Sequence, residues 1–421
     1  MYGVRELLEE AVAEWRACDT CFPRTAREFT PGEQAAREER LAEFLATLEA
    51  EVSRLPRTRS ERDRVRERIT GAFVRLARSA LEMEDRHLEL LLGGGFSAVG
   101  TALARQARRF DPAVSAADIL QACRNAWTAC GLQVLLGQPM RVTPSIFAYS
   151  MLYPYSDNYL DDPRVPREEK LGFSRRFGRR LAGEKADPAG GREESIWRLV
   201  ALIEAEYPRP AHPQVFASLL AIHRAQLESL RLAGDGDADV LALSFAKGGT
   251  SVLADGCLAA GSLTDEQARF IFFWGVLLQL GDDLQDVRDD SAGGIRTLFS
   301  QAAGVEPLDA ITNRAFHFGE RVMMLLNGAG TPGSGVLKEL IRRSSRSFLI
   351  RCVGEAREFY TKEYVARLEA RSPFRFSFLE QRRRHFARRQ AALVRLFEAF
   401  LAADDGEPAF PVLPHVWMPR F

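Results

Sequence analysis

Apolar residues return every three or four positions along most of this chain, and the strict alternation of a half-buried strand is almost absent. That period predicts helices over residues 31–55, 60–92, 96–110 and 116–136 in the first third. It predicts others from Pro144 to the residue before Pro163, and over 195–206, 213–233, 240–260, 265–290 and much of 337–402. Gly93-Gly94-Gly95 should stop the second helix, and Thr143-Pro144 reads as an N-cap followed by proline in the first turn. Pro154 falls inside a helical stretch, where it removes a hydrogen bond and should kink or loosen the turn. The polar, glycine-rich runs at 183–194, Gly234-Asp235-Gly236-Asp237 and 327–335 read as loops, and the tail from Asp404 should be irregular. With no internal repeat and no linker, the pattern predicts an all-α fold in one domain. Residues 1–92 form an N-terminal extension with the first core helices, 93–402 the main body, and 403–421 an irregular tail.

Charge interrupts this pattern in two places. Asp157-Asn158-Tyr159-Leu160-Asp161-Asp162 and Asp282-Asp283-Leu284-Gln285-Asp286 each end an apolar helical stretch. In both, the first carboxylate and one four positions later (Asp157 and Asp161, Asp282 and Asp286) fall on one helix face. Like charges held that way repel and call for a cation. Two such faces opposite each other would offer the hard oxygen ligands that suit Mg²⁺, which would in turn hold a phosphate or diphosphate.

Composition narrows the field. Lys+Arg and Asp+Glu both number 57, so the chain is formally neutral, which argues against a nucleic-acid partner. An apolar fraction of 46% with 27% charged residues is that of a globular protein. No uninterrupted apolar run approaches the ~18 residues of a membrane span. The six cysteines read as reduced thiols, and Cys18-Asp19-Thr20-Cys21, with no second pair, as local packing. The N-terminus alternates charge and apolar residues as an amphipathic helix does, not as a signal peptide, so a cytoplasmic location is expected. The six histidines are scattered without metal-ligand spacing.

At the acidic clusters the chain resembles the class I isoprenoid synthases, the trans-prenyltransferases and related terpene synthases. The run Gln279-Leu280-Gly281-Asp282-Asp283-Leu284-Gln285-Asp286 is close to the prenyltransferase pattern of Gln, two spacers and DDxxD. The first cluster departs from that pattern by placing Asn158 at its second position and Asp162 after Asp161. Phe245-Ala246-Lys247-Gly248-Gly249-Thr250-Ser251 stands near where prenyltransferases carry a Lys-Thr pair that contacts diphosphate. The resemblance covers roughly residues 90–370 and implies a helical bundle around a central active-site cavity. It implies Mg²⁺, three ions in the family, held by Asp157, Asn158, Asp161, Asp162, Asp282, Asp283 and Asp286. Of these, Asp157, Asp161, Asp282, Asp283 and Asp286 would be catalytic. It implies diphosphate contacts from Arg164, Arg167, Lys247 and Arg288, and from Tyr360 in the run Arg357-Glu358-Phe359-Tyr360. Tyr153, one turn before Asp157, corresponds to a position where bulk shortens the hydrocarbon pocket. A homodimer is left open.

Chain-elongating prenyltransferases also carry an N-terminal Gly-Lys-Arg element for isopentenyl diphosphate. Here the glycines of Gly93-Gly94-Gly95-Phe96 have no basic neighbour, so a second diphosphate would be poorly held. The expected activity is therefore a terpene synthase that ionises and cyclises one linear prenyl diphosphate. A chain-elongating or coupling prenyltransferase, and a non-catalytic prenyl-diphosphate-binding subunit, remain as alternatives.

Overall fold

The computed structural model describes residues 3–24, 27–93, 95–162, 164–232, 237–325 and 332–401. The fold is all-α, with no extended strand among the described residues. The turns expected at 93–95, 234–237 and 327–335 lie partly or mostly outside them, as do Pro163 and the whole tail from Asp404.

Two compact units are built from interleaved segments: Met1–Pro23, Thr128–Lys338 and Glu358–Thr361 in the first, and Arg24–Trp127, Glu339–Arg357 and Lys362–Phe421 in the second. The helices of the first unit that carry the site are numbered here in chain order: α1 Val4–Arg16, α2 Pro144–Leu152, α3 Arg167–Leu181, α4 Gly191–Glu206, α5 Pro213–Ser229, α6 Val240–Ala260, α7 Asp265–Gln285, α8 Val287–Gly293 and α9 Asp309–Leu325.

Local chemistry sets their ends. Thr143 caps α2 by accepting from the Ile146 amide, with Pro144 in the first turn as expected. Asp239 caps α6 in the same way, and Gly261 closes it at φ +75°, a conformation that suits a residue without Cβ. Thr264 and Gln267 cap α7 reciprocally.

α6 packs most extensively against α7 and next against α5. Pairing of Ser244 with Asp283 and of Gly248 with Gln279 shows that α6 and α7 run antiparallel. Their axes approach closely because glycines face each other: a Cβ on Gly248 would stand 2.6 Å from the Gly275 carbonyl oxygen. On another side, Trp15 of α1 meets Phe245 and Phe318 edge-on, each with ring centroids 5.9 Å apart.

In the second unit, Leu48, Val52, Val65, Ile69, Phe386, Leu396 and Phe400 form one apolar cluster. The single helix expected over 60–92 is here two pieces. It ends at Ser79, and Glu82 turns through φ +52° before the chain re-enters helix at Asp85. Arg37 and Arg343 hold that turn by donating to the carbonyls of Ala80 and Leu81, which supplies what the sequence lacks in glycine or proline. The run 85–110 is apolar and long enough to cross a membrane by composition, with 47% of its apolar window buried inside the structure. A core helix passes the same test.

Candidate functional site

α2 is buried from Ser145 to Leu152 and there does not end so much as change pitch. Tyr153–Asp157, carrying Pro154, form a π-turn before a last helical turn at Asn158–Asp161. The wider turn accommodates the proline ring, which an α-helix would drive into the preceding carbonyl. Ser156 compensates by donating its hydroxyl to the Leu152 carbonyl at 2.7 Å, and it also lies 3.1 Å from Asp157 Oδ1. Asp157 is thereby held in a buried position, while Asn158 is exposed and Tyr153 half-buried. The Asp161 side chain lies outside the described residues.

The end of α7 carries the second cluster. Asp283 is buried and doubly anchored: Ser244 Oγ donates to its Oδ2 at 2.6 Å and Gln279 Nε2 to its Oδ1 at 2.7 Å. Burial pushes its carboxyl up to about 6 in spite of these donors and of Lys247, and Asp282 adds to the rise. Asp282 is exposed and Asp286 half-buried. Asp290, on α8, continues the four-residue spacing of Asp282 and Asp286. Burial, then Asp283, Asp286 and Asp282, push it up to about 7, and the Lys247 ammonium opposes that. The second cluster is thus four carboxylates with one half-buried lysine.

Register on α6 relates this cluster to the first. Tyr207, which bonds the Ser145 side chain, donates to the Leu258 carbonyl at 2.8 Å, and Tyr149 donates to the Ser251 carbonyl at 3.2 Å. Moving forward along α2 therefore moves backward along α6. Two turns on from Tyr149 lies Asp157, and two turns back from Ser251 lies Ser244, the partner of Asp283. Both acidic clusters consequently lie toward the same end of α6, the end that carries Lys247. The Tyr149 hydroxyl registers the same environment: its pKa is raised by burial and further by Asp255, Tyr153 and Asp157.

Other predicted residues have partners of their own. Asp162 is paired with Arg164, Nη2 to Oδ2 at 2.8 Å, and this partner holds its carboxyl down at about 2. Arg167 is exposed at the start of α3. Arg288 donates to Glu358 at 2.6 Å. Tyr360 is buried with its hydroxyl 2.8 Å from Thr312 on α9, beside the bond from the Leu308 amide to the Phe359 carbonyl. A cavity of about 630 Å³ opens beside Tyr159 and is lined by Phe173, Arg176, Arg192 and Glu193 among others, but by none of the clustered carboxylates.

No protein-family model, curated protein or solved structure matches this chain. Among the described residues, no three acidic, histidine or cysteine side chains converge at metal-binding geometry. The donor set still fits a hard divalent cation, since the neighbouring carboxylates help to raise Asp283 and Asp290 and a cation would relieve that repulsion. Sequence reading missed Ser244 and Asp290. Continuation of the four-residue spacing could have found Asp290, whereas nothing local marks Ser244.

Proposed function

We propose that this protein is a Mg²⁺-dependent terpene synthase of the class I isoprenoid-synthase type, ionising a linear prenyl diphosphate to a hydrocarbon or alcohol and diphosphate. The observation that carries this reading is the common register of Asp157 and the Asp282–Asp290 quartet at the Lys247 end of α6. Asp157, Asp282 and Asp286 are the residues that would hold Mg²⁺, with Asp290 beside them. Bound there, the ions supply the positive charge that makes diphosphate a leaving group. Lys247 adds a donor for its oxygens. Asp283, bonded to Ser244 and Gln279, acts as an anchor for the end of α7. Tyr153 and the apolar residues one turn below the acids keep the ionised chain away from water.

Incubation with prenyl diphosphates from C10 to C30 and Mg²⁺ tests this. Diphosphate and a terpene should be released without any added acceptor, and Asp157→Ala or Asp282→Ala should cut the rate on the order of 100-fold or more. Folded protein that turns over none of these substrates would refute the reading. A requirement for isopentenyl diphosphate would replace it with the condensing alternative.

A further inference from the structure

The loop that follows α1 holds the run Cys18-Asp19-Thr20-Cys21, and α9 grips it through three side chains spaced four apart, which a helix puts on one face. Asn313 Nδ2 donates to the Thr20 carbonyl at 2.8 Å, His317 Nε2 to the Cys21 carbonyl at 3.0 Å, and Arg321 Nη2 to the Ala17 carbonyl at 3.2 Å. A carbonyl only accepts, so Nε2 of His317 carries the proton, and the same nitrogen stands 4.0 Å from Cys21 Sγ. Asp19 Oδ1 accepts from the Cys21 amide at 2.7 Å, and the chain bends at both cysteines. The two thiols differ in access but meet the same stripe of α9. Cys21 is exposed and Cys18 buried. Cys18 feels the charges of Arg321 and Arg314, which lie one turn to either side of His317. A bent loop of this spacing can bring its ends within the span of about 4.4–6.8 Å between Cα atoms that a disulfide closes.

We propose that Cys18 and Cys21 form a redox pair, with Cys21 the attacking thiol, His317 its hydrogen-bond donor and Cys18 the resolving thiol, and that closing the disulfide slackens the hold of α9 on α1. Once it has lost its proton to solvent, Cys21 Sγ accepts from His317 Nε2–H and attacks one sulfur of a low-molecular-weight disulfide, RSSR. The S–S bond of RSSR breaks, RS⁻ leaves and takes a proton from solvent, and a Cys21–S–S–R mixed disulfide remains. The Cys18 thiolate then attacks the Cys21 sulfur and expels the second RS⁻, which is protonated in turn. Two protein thiols are oxidised to one disulfide and RSSR is reduced to two RSH. Burial pushes the Cys18 thiol up to about 11, with Arg321 and Arg314 opposing and Glu14 adding to the rise, so the second step is the slower one. For the bond to close, Cys21 must turn away from His317 or Cys18 must leave its buried place. Either movement gives up contacts that fix the end of α1, three residues beyond Trp15, whose ring packs on Phe245 and Phe318.

Incubation of the full chain with oxidised glutathione, followed by intact mass and peptide mapping, tests the pair. The Cys18–Cys21 disulfide should form while Cys123, Cys130, Cys257 and Cys352, all buried, stay as thiols. Cys18→Ser should stop at a mixed disulfide on Cys21, and Cys21→Ser should take up no glutathione. His317→Ala should slow the first adduct about tenfold, because the thiolate loses its donor. In the oxidised protein, amide hydrogen exchange over residues 4–16 should rise at least about threefold, and dithiothreitol should reverse the rise. A wild type that stays glutathionylated at Cys21, or that reacts only when unfolded, overturns the pair. Exchange that is unchanged by oxidation overturns the link to α1. None of these readouts uses turnover, so the synthase reading stands or falls separately.

Discussion

Ser244 donates to Asp283 across the α6–α7 contact, and Gln279 donates from one turn earlier on α7. A buried carboxylate with two donors is tolerated, whereas one that loses a donor keeps its desolvation cost. Ser244→Ala should therefore destabilise the protein by about 1–3 kcal/mol in denaturant unfolding, and raise the Asp283 pKa further. Asp290 supplies a pH test. The Asp283 and Asp290 pKa values, about 6 and about 7 in the folded chain, both exceed the ordinary aspartate value of 3.8. The folded state thus binds more protons than the unfolded one, so this contribution is full below about pH 4 and is lost as pH rises through 6 to 7. The metal-free protein should lose melting temperature between pH 5 and 8, and Asp290→Asn or added Mg²⁺ should restore part of it at pH 8. A melting temperature that climbs over that range would contradict the assignment. Asp282 and Asp286 were legible in the sequence because a helix puts residues four apart on one face. Ser244 was not legible, because its partner is set by how two distant segments are registered.

That register belongs to the elements. Gly248 and Gly275 let α6 and α7 approach closely enough for a serine, the shortest hydroxyl side chain, to reach Asp283. A methyl at Gly275 would run into the backbone of Gly248, which has no rotamer by which to yield. Gly275→Ala should cost about 1–3 kcal/mol of stability as an overpacked core position. It should also reduce turnover beyond that loss, because Lys247 and Ser244 would be displaced from the acids. Unfolding midpoint and kcat measured on the same preparation separate the two effects. Helix spans were widely legible, with 96–110 and 240–260 matching the observed helices end to end. The break near Glu82 was hidden because long-range arginine contacts, not glycine or proline, impose it. Pro154 signalled a disturbance, but its outcome, a π-turn that keeps the helix going to Asp161, depends on Ser156 taking up the Leu152 carbonyl.

For the whole molecule, the connectivity matters as much as the packing. The first unit takes its residues from three separate stretches, so the chain cannot be cut at one point to leave it entire. A linear reading has no signal for this, since the residues joining 1–23 to the body of the unit are separated from it by about a hundred positions of other helices. α1 is the clearest case. Trp15 is 3% exposed and its ring closes against Phe245 of α6 and Phe318 of α9. Arg321 of α9 pairs with Glu14, and Arg269 of α7 with Glu10, so α1 braces α7 and α9 against each other. Deleting residues 1–23 would uncover Phe245 and Phe318 and leave α6 packed on fewer sides. Trp15→Ala, which removes only the ring, should cost about 3–5 kcal/mol. The deletion should go further and abolish the cooperative melting of the unit that bears the acids, with loss of near-ultraviolet circular dichroism and of turnover together. A truncated protein that melts cooperatively and still releases diphosphate would show that α1 is an accessory to this unit and not part of its core.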